Sequence, residues 1–235
     1  MRNSSSSNAD GAAVDAAVVG AGVVGLCAAR SLARRGLTVA LVEAGGAREA
    51  EASRAAAGML APQAEADGDG DFFRFQQAAR DFYPAFAAAL EEETGREVEL
   101  DQTGTLYLAL SEEDEEELAA RHAWQTRAGL PVERLTTDEA RELEPQLSAR
   151  ARMALRFPRD WQVENRTLVE ALRLSVEDAR GGRVRVMRET AAKAVRVGRD
   201  GRVEGLESSQ GFVAAGAVVV AAGARSSQLE VVAGA

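Results

Sequence analysis

Three glycines at positions 20, 22 and 25, set in "VDAAVVGAGVVGLCAAR" (residues 14–30), constrain this chain more than any other feature. The stretch before them, "AAVDAAVV", is apolar on both faces except at Asp15, which predicts a parallel strand buried between helices. After them Val24, Cys27, Ala28 and Leu32 recur at helical spacing. Arg34 and Arg35 then stand where a helix dipole favours cations, and Gly36 is placed to end the helix. "LTVALVEAGG" predicts a second apolar strand, ending in Glu43.

Strand, G-x-G-x-x-G, helix, strand and acid in this order describe a dinucleotide-binding unit. Gly20 permits the tight turn, Gly22 lets backbone approach a pyrophosphate, and Gly25 lets the helix pack closely on the strand. Glu43 stands 23 positions after Gly20, where such units keep an acid for the ribose diol. The bare glycine pattern also occurs as a turn in unrelated α/β domains, and it does not separate NAD from FAD.

Composition narrows the chemistry. The chain has 235 residues, 46% of them hydrophobic, enough for one large domain or two small ones. Its net charge of −9 advertises no basic face for nucleic acid or anionic lipid. Cys27 is the only cysteine, so neither an internal disulfide nor a multi-cysteine metal site can form, which fits a reducing compartment. Residues 1–12 lack the apolar run of a leader and read as a disordered lead-in to a cytoplasmic chain without a membrane span. His122 is the only histidine and Lys193 the only lysine, leaving almost nothing for a serine-histidine triad, a histidine-bound metal or a P-loop. An enzyme of this composition is expected to borrow its chemistry from a cofactor.

Further along, "EASRAAAGMLAPQAEAD" (residues 51–67) clusters small residues around Gly58, as in a loop that approaches a flat ligand or in a plain Ala-rich linker. Phe72, Phe73 and Phe75 lead into an amphipathic helix expected to break near Pro84 and to finish at Gly95. "REVELDQTGTLYLAL" reads as two strands joined by a turn at Thr103 and Gly104. Ser111 and Asp114 resemble a helix cap, with "EEDEEE" in the first helical turn. His122 reads as a core-edge or solvated histidine, and Trp124 and Trp161 read as packing residues. From Arg183 onward "VRVMRE", "AAKAVRV", "RVEGLE" and "FVAAG" read as short strands with tight turns at "RDGR" and "SSQG", a set that resembles an antiparallel meander, followed by a buried strand "AVVVAA".

"VVGAGVVGLCAARSLARRGLTVALVEAG" and "EASRAAAGMLAPQAE" together resemble the FAD-dependent D-amino acid oxidase superfamily, most nearly the glycine oxidases of thiamine biosynthesis. "TGTLYLAL" (103–110), "LTTDEARELEPQL" (135–147), "QVENRTLVEAL" (162–172) and "VVVAAGARSS" (218–227) follow in the order those enzymes show. The resemblance implies an α/β chain: a Rossmann-like FAD-binding domain of the glutathione-reductase type with an inserted α+β substrate-domain segment. The domains expected are residues 13–96 with 151–235 for FAD and 97–150 for part of the substrate domain.

By the same resemblance Gly20, Ala21, Gly22 and Gly25 cradle the pyrophosphate of FAD and Glu43 holds the adenosine ribose. Ala56, Ala57, Gly58 and Met59 lie against the isoalloxazine ring, Ala192 offers backbone to adenine, and Gly223 returns backbone towards the cofactor. Arg54 and Arg225 stand where the family usually has a smaller residue and a tryptophan. The implied reaction oxidises the amine of glycine or a small D-amino acid by hydride transfer to flavin, giving imine or keto acid, ammonia and hydrogen peroxide. Family members continue past "VVVAAGARSS" into a portion carrying the substrate-clamping arginine, so the chain reads as C-terminally incomplete and no catalytic residue is assigned. Unpaired sheet edges would then be met by a homo-oligomer or a complementing C-terminal half. Two alternatives remain: a sarcosine oxidase or D-amino acid dehydrogenase type of flavoprotein, and an inactive flavin-binding fragment.

Overall fold

The computed structural model describes residues 12–46, 51–178 and 182–233. Its chain divides into two compact units. One comprises residues 1–56, 93–96 and 166–235, the other residues 57–92 and 97–165. Residues 57–92 and 151–165, which the sequence reading groups with the dinucleotide sheet, cluster with the second unit. Most of the lead-in, residues 1–11, lies outside the described residues.

The first unit opens as the glycine pattern predicts, with strand β1 (Val14–Val19), helix α1 (Val23–Arg34) and strand β2 (Val39–Val42), followed by a short helix α2 (Glu51–Ala55). The chain then supplies the second unit: β3 (Met59–Leu60), α3 (Pro62–Glu65), most of α4 (Asp71–Thr94), β4 (Leu100–Asp101), β5 (Thr105–Ala109), α5 (Glu112–Arg127), β6 (Glu133–Leu135), α6 (Thr137–Leu143), β7 (Met153–Phe157) and β8 (Trp161–Val163). It returns to the first unit through α7 (Asn165–Glu177), β9 (Val184–Met187), β10 (Ala192–Val197), β11 (Val203–Ser208), β12 (Gly211–Val220), a 3-10 turn (Gly223–Gln228) and β13 (Glu230–Ala233).

Seven strands of the first unit form one sheet in the order β13-β10-β11-β12-β1-β2-β9. The four from β12 to β9 are parallel, and β10, β11 and β12 form an antiparallel meander. Alternation along the strands puts Ala17, Val19, Ala40 and Val42 into one core cluster with Val195, Leu206, Val213 and Ala215 from the meander. Two expectations are corrected here. "VRVM" (β9) belongs to the parallel sheet beside β2, not to the meander. "FVAAG" and "AVVV" are one ten-residue strand, β12, whose first half pairs with β11 and whose second half pairs with β1. That second half is not deeply buried, and Val220 is 45% exposed.

The packing face of α1 also differs from the spacing first read. Val24 is exposed, and the buried residues are Gly25, Leu26, Ala29, Arg30 and Ala33. The reason is steric: a Cβ at position 25 would stand 1.8 Å from the Gly20 carbonyl oxygen, so Gly25 must face the turn and the helix rotates accordingly. Arg30 is buried on this face because Glu93 accepts from it at 2.6 Å and the Ser175 hydroxyl at 3.0 Å. Gly36 ends the helix at φ +89°.

In the second unit Ala109, Leu118, Met153, Leu155 and Phe157 pack into one buried cluster with Ala61 and Ala64. β5, β7 and β6 form one antiparallel sheet, and β3, β8 and β4 another. The segments on either side of Thr103 and Gly104 are strands, yet β4 pairs with β8 and β5 with β7, so they form no hairpin with each other. α4 runs through Pro84 without the expected break. Proline there removes one backbone donor, while the buried stripe Phe73, Arg80, Ala87 and Leu90 continues past it and holds the helix. Ser111 and Asp114 form the capping box the sequence suggests. Trp124 packs edge-on against Phe73 with ring centres 5.7 Å apart. No helix among the described residues is long and apolar enough to cross a membrane.

Candidate dinucleotide site

In the first unit the backbone turns sharply where β1 meets α1. Gly20 adopts φ +98°, and a Cβ there would lie 2.5 Å from the Ala221 carbonyl oxygen. Gly22 is the N-cap of α1 with no side-chain cap of its own, and no acidic residue occupies the first turn. The Ser53 hydroxyl accepts from the Val23 N–H at 3.0 Å, and a Cβ on Gly22 would come within 3.1 Å of that oxygen. Backbone amides at a helix N-terminus, with no acidic residue in the first turn, favour an anion.

Glu43 follows directly on β2. Its carboxylate accepts the Ala21 N–H at 2.6 Å and the Gly45 N–H at 3.0 Å. Its carbonyl accepts the Thr190 N–H at 2.8 Å, tying the end of β2 to the segment that enters β10, where Ala192 is the first residue. A small cleft open to solvent lies against these groups. Ala21, Leu41, Glu43, Arg54, Val169 and Val186 are among its walls. The turn after β12 comes back beside β1, with the Ala221 N–H donating to the Val19 carbonyl at 2.8 Å and Gly223 at φ +57°.

Ala56 closes α2, its N–H donating to the Ala52 carbonyl. In the second unit, Gly58 adopts φ +73°, and a Cβ there would lie 1.9 Å from the Val163 carbonyl oxygen. Val163 N–H in turn donates to the Gly58 carbonyl at 2.9 Å, and the Gln162 side chain donates to the Ala57 carbonyl at 3.1 Å. Met59, next in line, is 51% exposed. The loop is therefore held by backbone pairing to β8, leaving the side chains of Ala57 and Met59 outward.

Behind that loop stands a buried polar frame that sequence reasoning missed. The Asp160 carboxylate accepts the Gln63 and Ala64 N–H groups at 3.2 and 2.7 Å and pairs with Arg80 at 3.4 Å. Burial pushes its carboxyl above the ordinary range, against the lowering effect of those N–H groups and of Arg80. Arg121 donates to the Ala64 and Ala66 carbonyls, and Gln63 and Gln125 donate to each other's segments. Ser53 was missed as well. Its signal was available: a hydroxyl within a run of small residues beside a glycine-rich cradle.

A glycine turn feeding a helix N-terminus, with an acid at the end of the adjacent parallel strand, defines a dinucleotide-binding protein of the Rossmann-like class. The FAD dependent oxidoreductase (DAO) family matches residues 15–234, and the chain belongs to that family, whose cofactor is FAD. The chain is 35% identical to the glycine oxidase of Geobacillus kaustophilus (strain HTA426) over 199 residues, covering 84% of this chain and 51% of that protein. It is 32% identical to the glycine oxidase of Pseudomonas aeruginosa over 205 residues, 87% of this chain and 54% of that one. The crystal structure of the Geobacillus kaustophilus glycine oxidase superposes with a TM-score of 0.84 at 33% identity, covering 92% of this chain and 56% of that chain. That of Bacillus cereus ATCC 14579 gives 0.82 at 31%, over 92% and 57%. The chain thus spans about half the length of the relatives it matches.

Proposed function

We propose that this chain holds FAD through the cradle of its first unit and that the oxidoreductase built on it oxidises the amine of glycine or a small D-amino acid. The observation carrying this reading is the pair of sub-van der Waals positions at Gly20 and Gly25, where only glycine leaves the backbone free to form the turn beside Glu43. These residues fit the ADP half of FAD: α1 starts at Gly22 with no acidic residue in its first turn, the Ala21 N–H already holds an anionic group, the Glu43 carboxylate, and that carboxylate stands at the end of β2, where it would accept from a ribose diol. Ala192 and Gly223 would contribute backbone, and Ala56, Ala57, Gly58 and Met59 would offer a small-residue surface to the flavin ring. When bound, FAD would supply the electron acceptor for the substrate Cα–H bond. The chain's own part is to bind, orient and exclude water, which suits its near absence of histidine and lysine. The reading places the protein in the cytoplasm and, by its likeness to glycine oxidases, in thiamine biosynthesis, as a homo-oligomer.

The test is the visible spectrum of the purified chain after gel filtration. A bound flavin spectrum supports the reading, and bleaching by glycine with peroxide release extends it to the reaction. Bound flavin that sarcosine bleaches and glycine does not would favour the sarcosine oxidase type instead. Flavin that no amine bleaches would leave a binding fragment, and a folded, colourless chain that does not take up added FAD would overturn the reading.

A further inference from the structure

We infer that Arg54 is a binding residue for the dinucleotide, supplying the positive counter-charge to its pyrophosphate. This rests on the FAD reading above and concerns a side chain which that reading leaves without a role. Arg54 lies on α2, one residue after Ser53, whose hydroxyl holds the Val23 N–H at the start of α1. That bond fixes α2 against the cradle, and the half-buried Arg54 lines the same cleft as Ala21 and Glu43.

The charges around the cleft single it out. Arg173 and Arg188 both reach Glu177, which leaves that carboxylate shared between two guanidinium groups. Both oxygens of Glu43 are engaged by backbone N–H groups. Among the described residues no carboxylate lies within ion-pair reach of Arg54. The cleft is thus walled by three arginines and two glutamates in a chain whose overall charge is −9, and the surplus positive charge sits beside amides that already favour an anion. A planar guanidinium suits a pyrophosphate better than it suits a neutral sugar or base.

The experiment is fluorescence titration of the full chain with FAD over a range of salt concentrations, for the wild type, Arg54→Gln and Arg54→Lys, with circular dichroism and thermal melting on each. Arg54→Gln is expected to weaken FAD about tenfold and to flatten the salt dependence, while Arg54→Lys keeps most of the salt dependence. ADP competition should fall in step, whereas competition by adenosine, which lacks phosphate, should be unchanged. Equal losses for ADP and adenosine would overturn the charge assignment in favour of contact with the base. Unchanged FAD affinity in Arg54→Gln, or weaker binding with the wild-type salt slope, would also overturn it. A folded wild type that binds no FAD would instead overturn the cofactor reading itself, and the inference with it.

Discussion

The Glu43 carboxylate accepts the Ala21 N–H at 2.6 Å, so the acid at the end of β2 and the glycine turn at the end of β1 are joined across 22 positions of sequence. The bond aligns the two features that a dinucleotide needs together, an amide turn and a diol acceptor. Replacing Glu43 by Gln removes the negative charge and one strong acceptor. FAD affinity is expected to fall about tenfold, equivalent to about 1.4 kcal/mol, measured by flavin fluorescence titration.

Gly25 and Gly58 tolerate no side chain. A Cβ would meet a carbonyl oxygen at 1.8 Å in the first and 1.9 Å in the second, where φ is also positive. Gly25→Ala and Gly58→Ala are each expected to cost about 3 kcal/mol or more, read by chemical denaturation. Gly25→Ala should in addition lose FAD when the protein is loaded and gel-filtered.

Arg80 and Asp160 form a buried pair, their side chains 2% and 0% exposed. Removing Arg80 leaves a buried carboxylate with two N–H partners and no cation, a loss of about 3–5 kcal/mol near neutral pH. The pH dependence follows from direction. The Asp160 carboxyl is raised in the folded state, so its contribution to stability is fully present below the ordinary value of 3.8 and is lost as pH rises through the raised value. Without Arg80 that value climbs further, and the deficit of Arg80→Ala should widen between acid and neutral pH in denaturation curves. Asp160→Asn should flatten this dependence.

Cys27 sits half-buried in α1, and burial pushes its thiol up to about 11. It is expected to resist alkylation at neutral pH in the folded chain and to react readily in denaturant, a contrast read by mass spectrometry.

The capping box of α5 joins Ser111 and Asp114, and Ser111→Ala is expected to cost about 1 kcal/mol. The Leu110 N–H, the Ser111 hydroxyl and the Ser111 N–H, in that order, hold the Asp114 carboxyl below its ordinary 3.8, so its contribution is present above that value and is lost as pH falls through the lowered one. The cost of Ser111→Ala should therefore shrink in acid, as thermal melts at several pH values would show.

The sequence by itself determined the first strand, the glycine turn, the second strand with its terminal acid, and the helix caps. Each of these is local: period, glycine placement and capping chemistry act within a few residues, and they act the same way in any fold. Only the tertiary structure decided which face of α1 is buried, because Gly25 is turned inward by the Gly20 carbonyl and not by apolar periodicity. It alone decided that β9 joins the parallel sheet, that β12 serves two partners, and that β4 and β5 part company, since strand pairing is chosen by distant segments. The carboxylate of Asp160 behind the Gly58 loop carries no local signature of its role. A polar side chain reveals its partner only when the chain has brought a matching donor or acceptor to it and closed out the water between them.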